Sequence, residues 1–217
     1  MALYKIPYGK SEQTVELPEE HVAQVLLPPT TGKTQSIEAL MAEALASPIG
    51  TPTLDKMITA GDTVVIVVSD ITRTWARFDL FVPILVNELN RLGVPDQDIS
   101  VIIATGKHRL NTEQEKEEIL GSELYHRVKV YDHDPATEAC CYLGTTGRGT
   151  PAWINKRAAE ADKVILTGGL SPHIYAGFGG GRKSVLPGIA GAESINHNHN
   201  LALADEIGGG VNPDTSI

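Results

Sequence analysis

The densest concentration of chemically capable residues lies between Gly168 and His199, in a run that contains S-P-H-I-Y-A-G-F-G-G-G-R-K-S-V-L-P-G and closes on N-H-N-H-N. Gly177, Gly179, Gly180 and Gly181 let the backbone turn through positive φ and approach a ligand closely, and Arg182 and Lys183 add two cations where the turn ends. Such a loop can cradle an anion. His173 precedes it and His197 and His199 follow it, so imidazoles flank the cradle, which points to catalysis or a metal as well as binding. The phosphate loop G-x-x-x-x-G-K-[ST] is the motif to test, because Gly177 stands six positions before Lys183 and Ser184 follows. It fails at Arg182, which replaces the glycine that lets the backbone wrap the phosphates. The plainer account is a glycine-rich turn ahead of a helix that Pro187 and Gly188 cut short.

Other candidates follow apolar runs elsewhere in the chain. Asp70, Thr72 and Arg73 come after T-V-V-I-V-V-S. The planar guanidinium of Arg73 suits a carboxylate or phosphate, or a surface ion pair, while Asp70 suits orienting Arg73, a ligand hydroxyl or a helix cap. His108, in A-T-G-K-H-R, has the side-chain type that titrates near neutrality and serves as a general acid or base; an exposed loop histidine is the alternative. His197 and His199 are two apart, which puts both on one side of an extended segment and would suit zinc, copper, iron or nickel, or simply a polar loop. His133 and Asp134 also follow an apolar run, but nothing else supports them. His21 and His126 read as surface residues.

The elements that must position these side chains alternate. Residues 2 to 8 and 13 to 17 alternate apolar with polar around Gly9 and Lys10, the pattern of a hairpin with one buried face. A loop, V-L-L-P-P-T-T-G-K-T, leads to a helix from Ser36, a fitting N-cap, to Ala46, ended by Ser47-Pro48. Thr63 to Ser69 is a β-branched run suited to a doubly covered parallel strand. Phe78 to Leu92 has helical spacing and Gly93 as its stop, and Ile99 to Ala104 is the next buried strand. Asn111 to Leu120 reads as an acidic helix, Arg127 to Tyr131 as a strand, and Cys140 to Thr150 as a hairpin turning at Thr145 to Gly149. Trp153 to Ala161 reads as a helix, and Lys163 to Thr167 as the strand that delivers the chain into the glycine loop. The β-α-β alternation predicts an α/β fold, a Rossmann-like open, mostly parallel sheet with helices on both faces plus the N-terminal β-hairpin. In such sheets ligands bind beyond the carboxyl ends of the strands, where strand order reverses. Asp70 and Arg73, His108, and His173 and Lys183 all follow strands, so they should converge on one rim.

Composition narrows the class. A chain of 217 residues buries a substantial core, and 5% aromatics with 21 glycines and 13 prolines fits an α/β protein with short loops. A net charge of −9 argues against a nucleic-acid groove as the main function, although Arg182 and Lys183 can still hold one small anion. Cys140 and Cys141 are adjacent, which disfavours a disulfide and suggests reduced thiols in a cytoplasmic protein. No apolar run approaches a membrane span and the N-terminus lacks a signal-peptide core.

Taken together, S-D-I-T-R, A-T-G-K-H-R, H-I-Y-A-G-F-G-G-G-R-K-S-V-L-P-G-I-A and the later N-H resemble the nickel-dependent lactate racemase family, whose members act on 2-hydroxy acids. The resemblance runs from about residue 45 to the C-terminus. It implies a nickel-pincer nucleotide, pyridinium-3-thioamide-5-thiocarboxylate mononucleotide, covalently attached to Lys183, with nickel held by the pincer and by a histidine that matches His199; His197 is the runner-up. It makes His108 and His173 the paired acid/bases on opposite sides of the substrate and Arg73 the holder of its carboxylate. Asp70, Thr72, Gly179, Gly180 and Arg182 match cofactor surroundings, with the role of Asp70 open between the phosphate and the orientation of Arg73. The implied reaction takes a proton from the hydroxyl and a hydride from the α-carbon, giving a planar 2-keto acid that is rebuilt from the other face. Its partners are a small 2-hydroxy acid and cofactor-synthesis proteins, with neither nucleic acid nor membrane.

Two departures qualify the match. Thr74, followed by Trp75, stands where the family has proline, which bears on the identity of the acid. Members of the family also carry a second domain that closes over the cofactor, and the match corresponds to the first, cofactor-binding domain over residues 1–217. The expectation is that this segment alone is inactive. Two other readings stand beside this one: a nucleotide-phosphate-binding transferase using the glycine loop with Mg²⁺, and a non-catalytic cofactor-binding module.

Overall fold

A computed structural model describes residues 1–9, 11–27, 35–173 and 176–201. Lys10 in the expected hairpin turn, most of the loop that ends in T-G-K-T, and Ile174 and Tyr175 of the central run lie outside them. The chain divides into two compact units, residues 1–35 and 36–217.

The first unit is the expected hairpin. Strand β1 (Ala2–Tyr8) pairs antiparallel with β2 (Ser11–Leu17), from Ala2 opposite Leu17 to Tyr8 opposite Ser11. The buried face expected of it is not found, because no side chain of either strand is buried and Leu3 and Tyr8 are 71% and 66% exposed. Alternation marks which residues share a face, but burial needs a second layer against that face.

The second unit begins with α1 (Ile37–Ala46), whose N-cap Ser36 accepts a hydrogen bond from the Ala39 N–H at 3.2 Å, and α2 (Leu54–Met57). It continues through β3 (Val64–Ser69), a 3₁₀ turn (Ile71–Ala76), α3 (Phe78–Arg91), β4 (Ile99–Ala104), α4 (Glu113–Leu120), α5 (Ser122–Arg127) and β5 (Lys129–Asp132). A hairpin of β6 (Cys140–Thr145) and β7 (Pro151–Asn155) is followed by α6 (Lys156–Glu160) and β8 (Lys163–Leu166). The glycine-rich run forms two short paired strands, β9 (Pro172–His173) and β10 (Gly177–Phe178), and α7 (Ala192–Leu201) follows it.

Strands β5, β4, β3 and β8 form a four-stranded parallel sheet in that order. Both faces of β3 are covered, as its unbroken apolar run requires. Val64, Ile66 and Val68 pack with Phe78, Val82 and Leu89 of α3 and with Leu120 and Leu124. Val65 and Val67 point the other way, against Ile102, Ala158 of α6 and Ile189. The chain leaves β3 toward β4 on one side and returns as β8 on the other, so strand order reverses at β3. The carboxyl end of β3 is therefore where a crevice opens.

Three local expectations change. Trp153 lies in strand β7, opposite Tyr142, and the helix begins only at Lys156, with Asn155 as its cap accepting from the Arg157 N–H at 3.0 Å. Arg127 ends a short helix, and the strand starts at Lys129. His197 and His199 lie on α7, not on an extended segment, so their side chains diverge by roughly 200° around the helix axis instead of sharing a side. Among the described residues, no helix is long and apolar enough to cross a membrane.

Candidate functional site

At the carboxyl ends of β3, β4 and β8 lies a cleft of about 660 Å³ lined by Arg73, Trp75, His108, His173, Lys183 and His199, among others. Each arrives on a different piece of local structure. Asp70 caps the 3₁₀ turn after β3: its Oδ1 accepts from the Thr72 N–H at 3.2 Å and from the Thr72 hydroxyl at 2.6 Å. Thr72 in turn accepts a hydrogen bond from Arg73 at 2.9 Å, which holds the guanidinium at the cleft wall.

The other oxygen of Asp70 takes His108. Nδ1 of His108 donates to Oδ2 at 2.5 Å, while Asp70 is only 4% exposed. A carboxylate can only accept, so the proton sits on Nδ1 and the lone pair of a neutral ring sits on Nε2. His173 has the opposite tautomer. Its Nδ1 accepts the Ala176 N–H at 3.2 Å, so in the neutral ring Nε2 carries the proton. Burial, and then the positive charges of Lys183 and Arg73 and the nearby His199, lower the pKa of His173 and favour its neutral form. One histidine is set as an acceptor and the other as a donor.

The half-buried Lys183 sits on the 3₁₀ turn Gly181–Ser184. Burial, with Arg73 adding to it, lowers its pKa, although Asp70 opposes the shift. The lysine therefore spends more time as the nucleophilic amine than an exposed one does. Gly180, at φ 73°, runs so close beneath β8 that a β-carbon on Gly168 would lie 3.0 Å from its Cα. This close backbone contact needs glycine on both sides and leaves the loop flush against the cleft. Gly179 also lines the cleft, whereas Arg182 is exposed and outside its lining.

His199 and His197 separate on α7. His199 lines the cleft and its Nδ1 donates to the Ile195 carbonyl at 2.8 Å, so in the neutral ring the lone pair is on Nε2, the kind of donor a metal takes. His197 is turned to the β6–β7 turn, where its Nδ1 meets the Thr150 hydroxyl at 3.2 Å. Among the described residues no three His, Cys, Asp or Glu side chains gather as a metal site.

Some of the machinery under the cleft carried no motif. His133 is fully buried, donating from Nε2 to the Ala190 carbonyl at 2.9 Å and accepting at Nδ1 from Asn155 at 3.1 Å. Thr105 donates to the His133 carbonyl at 2.8 Å, so this buried cluster supports the turn that carries His108. Asn111 accepts from the Ile71 N–H at 3.2 Å and bonds to Asp132 at 2.6 Å, bracing the Asp70 turn against β5. Lys107 donates to Asn196 at 2.9 Å and ties the same turn to α7. In the sequence His133 shows only by its position after a strand, and Thr105 and Lys107 only as neighbours of His108 in A-T-G-K-H-R, because these residues act through contacts between distant segments.

Comparison with known proteins places the chain in a family. The lactate racemase N-terminal domain family matches residues 8–209. A lactate racemase from Thermoanaerobacterium thermosaccharolyticum is 37% identical over 203 residues, covering 92% of this chain and 47% of its own. One from Lactiplantibacillus plantarum is 33% identical over 202 residues with the same coverage. The structure of the T. thermosaccharolyticum lactate racemase apoprotein superposes with a TM-score of 0.80 at 35% identity, covering 98% of this chain and 51% of that one. A crystal structure of a Thermotoga maritima protein gives a TM-score of 0.59 at 25% identity, over 82% of this chain and 44% of the other. The chain thus spans about half the length of the curated relatives it matches.

Proposed function

Given that the chain belongs to the lactate racemase N-terminal domain family, we propose that it is the cofactor-binding domain of a 2-hydroxyacid racemase or epimerase that uses a nickel-pincer nucleotide attached to Lys183. The observation that carries this reading is the pair of cleft histidines with opposite tautomers, His108 open at Nε2 and His173 protonated at Nε2. Mirror-image substrates need proton transfer on two sides, one group taking and the other giving.

The residues present fit the group. Lys183 offers an amine with a lowered pKa beside a glycine-lined loop, and His199 brings an imidazole to the same cleft wall, the residue types that attachment of the nucleotide and ligation of its nickel need. When bound, the nickel-pincer nucleotide supplies the means to take and return a hydride at the substrate α-carbon.

The chain's own residues do the rest. Arg73 binds the substrate carboxylate through its two-pronged donor face, steadied by Thr72. His108 Nε2 accepts the hydroxyl proton of one enantiomer, and Asp70 stabilises the resulting imidazolium through Nδ1. His173 donates a hydrogen bond from Nε2 to the oxygen on the opposite side and passes a proton there once its ring has taken up a second one, so that it returns to the neutral ring. For the other enantiomer the two exchange roles, which moves the proton of neutral His173 from Nε2 to Nδ1 and gives up the hydrogen bond from Ala176. Gly179 and Gly180 present bare backbone to the cleft, where a ligand can approach closely.

The test is intact mass and nickel analysis of the full-length protein co-produced with a pincer-synthesis system, beside a Lys183→Ala variant. The reading expects a covalent adduct and about one nickel per chain, both absent from the variant. An unmodified, nickel-free wild-type chain overturns it.

A further inference from the structure

Trp75 is the aromatic side chain in the cleft lining among the described residues, and its surroundings are unusual. Its indole lies directly over Gly169, the second residue of the glycine pair that follows β8. A β-carbon at Gly169 would come within 2.3 Å of Cη2 and 2.5 Å of Cζ3 of the ring. Any residue but glycine at 169 therefore displaces the indole. Trp75 is still 55% exposed, and it lines the cleft. A large apolar side chain seated on bare backbone in the same cleft wall as Arg73 is placed to contact a ligand held there.

Position defines which part of a ligand meets it. Trp75 and Arg73 belong to the same 3₁₀ turn, Ile71–Ala76, and both line the cleft. A 2-hydroxy acid whose carboxylate is held by Arg73 has its C2 substituent two bonds beyond the carboxyl carbon, and Trp75 stands two residues along the same turn and in the same cleft. An indole face offers dispersion and stacking to that substituent. It offers no cation and only one N–H donor, so it does not compensate a second carboxylate. Leu186, Pro187 and Ile195 continue the apolar part of the lining.

Resting on the racemase reading above, we infer that Trp75, seated on Gly169, is a specificity-determining wall, and that the enzyme's substrates are 2-hydroxy acids with an apolar side chain larger than a methyl group, aromatic ones included. The loaded full-length enzyme should invert 2-hydroxy-3-phenylpropanoate with a higher kcat/KM than lactate. Trp75→Ala should lower the ratio of the two values about tenfold, the scale on which apolar pockets discriminate. Gly169→Ala should lower it as well by pushing the indole out, and the double variant should be no worse than Trp75→Ala alone.

The outcomes separate the two claims. A loaded enzyme that inverts lactate with a ratio unchanged by Trp75→Ala overturns the wall and leaves the racemase reading standing. A ratio that rises in Trp75→Ala overturns it too, because the indole then acts as an obstacle. A loaded enzyme that inverts neither acid overturns both.

Discussion

Asp70 divides its two carboxylate oxygens between partners, and that division connects substrate binding to proton transfer. Oδ1 holds the Thr72–Arg73 side and Oδ2 holds His108. The structure thus gives Asp70 a direct partner in His108, where the sequence left it between the cofactor phosphate and Arg73. Asp70→Asn keeps the size and the acceptor for Thr72 but turns an amide NH₂ toward His108. The ring then holds its proton on Nε2, where the proposed base needs a lone pair. In the loaded enzyme kcat should fall by about 10²–10⁴, the range for loss of general base catalysis, with KM much less affected and the circular dichroism spectrum retained. A kcat within a factor of two of wild type would remove His108 from the role of base.

The connection from β8 to α7 illustrates what a short irregular element can do. The Gly188 carbonyl accepts from the Gly106 N–H at 3.0 Å and the Gly188 N–H donates to the Lys183 carbonyl at 3.2 Å, which binds the lysine turn to the loop that carries His108. A β-carbon at Gly188 would lie 2.2 Å from the Ser184 carbonyl oxygen, which is backbone and cannot swing away. Gly188→Ala should cost about 1–3 kcal/mol in denaturant unfolding, the usual penalty for overpacking. Gly147→Ala, at a site with nothing within 4 Å, is the control and should leave stability near wild type. Equal stability of the two variants would mean that the turn relaxes freely. Elements of this kind were hard to read in advance. Trp153 and Ile154 have the apolar character of either a strand or a helix, and only pairing with Cys141 and Tyr142 decides for the strand. The spacing of His197 and His199 likewise has opposite meanings on a strand and on a helix.

At the scale of the whole molecule, His133 joins three segments distant in sequence: the end of β5, β7 through Asn155, and the chain at Ala190. Burial is the main cause that lowers its pKa below the ordinary 6.5, so the folded protein holds it neutral while the unfolded chain binds a proton. Below pH 6.5 the unfolded state carries more protons, so stability falls as pH falls, by at most about 1.4 kcal/mol per pH unit for this group, until the folded-state pKa is reached. His133→Gln should lose about 1–3 kcal/mol at pH 7.5 because buried partners go unsatisfied, and its stability should decline less than wild type between pH 6.5 and 5.5. Parallel acid slopes in urea unfolding would show that His133 does not titrate on unfolding.

The sequence by itself determined the periodic and local features. The β-branched runs named three of the four sheet strands closely and began the other two residues early, the Ser36 and Asp70 caps were legible from residue type, and the glycine-rich run with Lys183 marked the cleft. The alternation of strand and helix was enough for the fold class, because parallel neighbours need a crossover helix. Tertiary structure alone decided which strand stands at the centre, which histidine of α7 faces the cleft, and which protons His108 and His173 carry. The His108 proton depends on a bond between residues 38 positions apart, Asp70 with His108, whereas His173 and His199 bond locally to Ala176 and Ile195 in segments that the fold brings to the cleft. Residue type states what a side chain can donate or accept, but the fold chooses its partner.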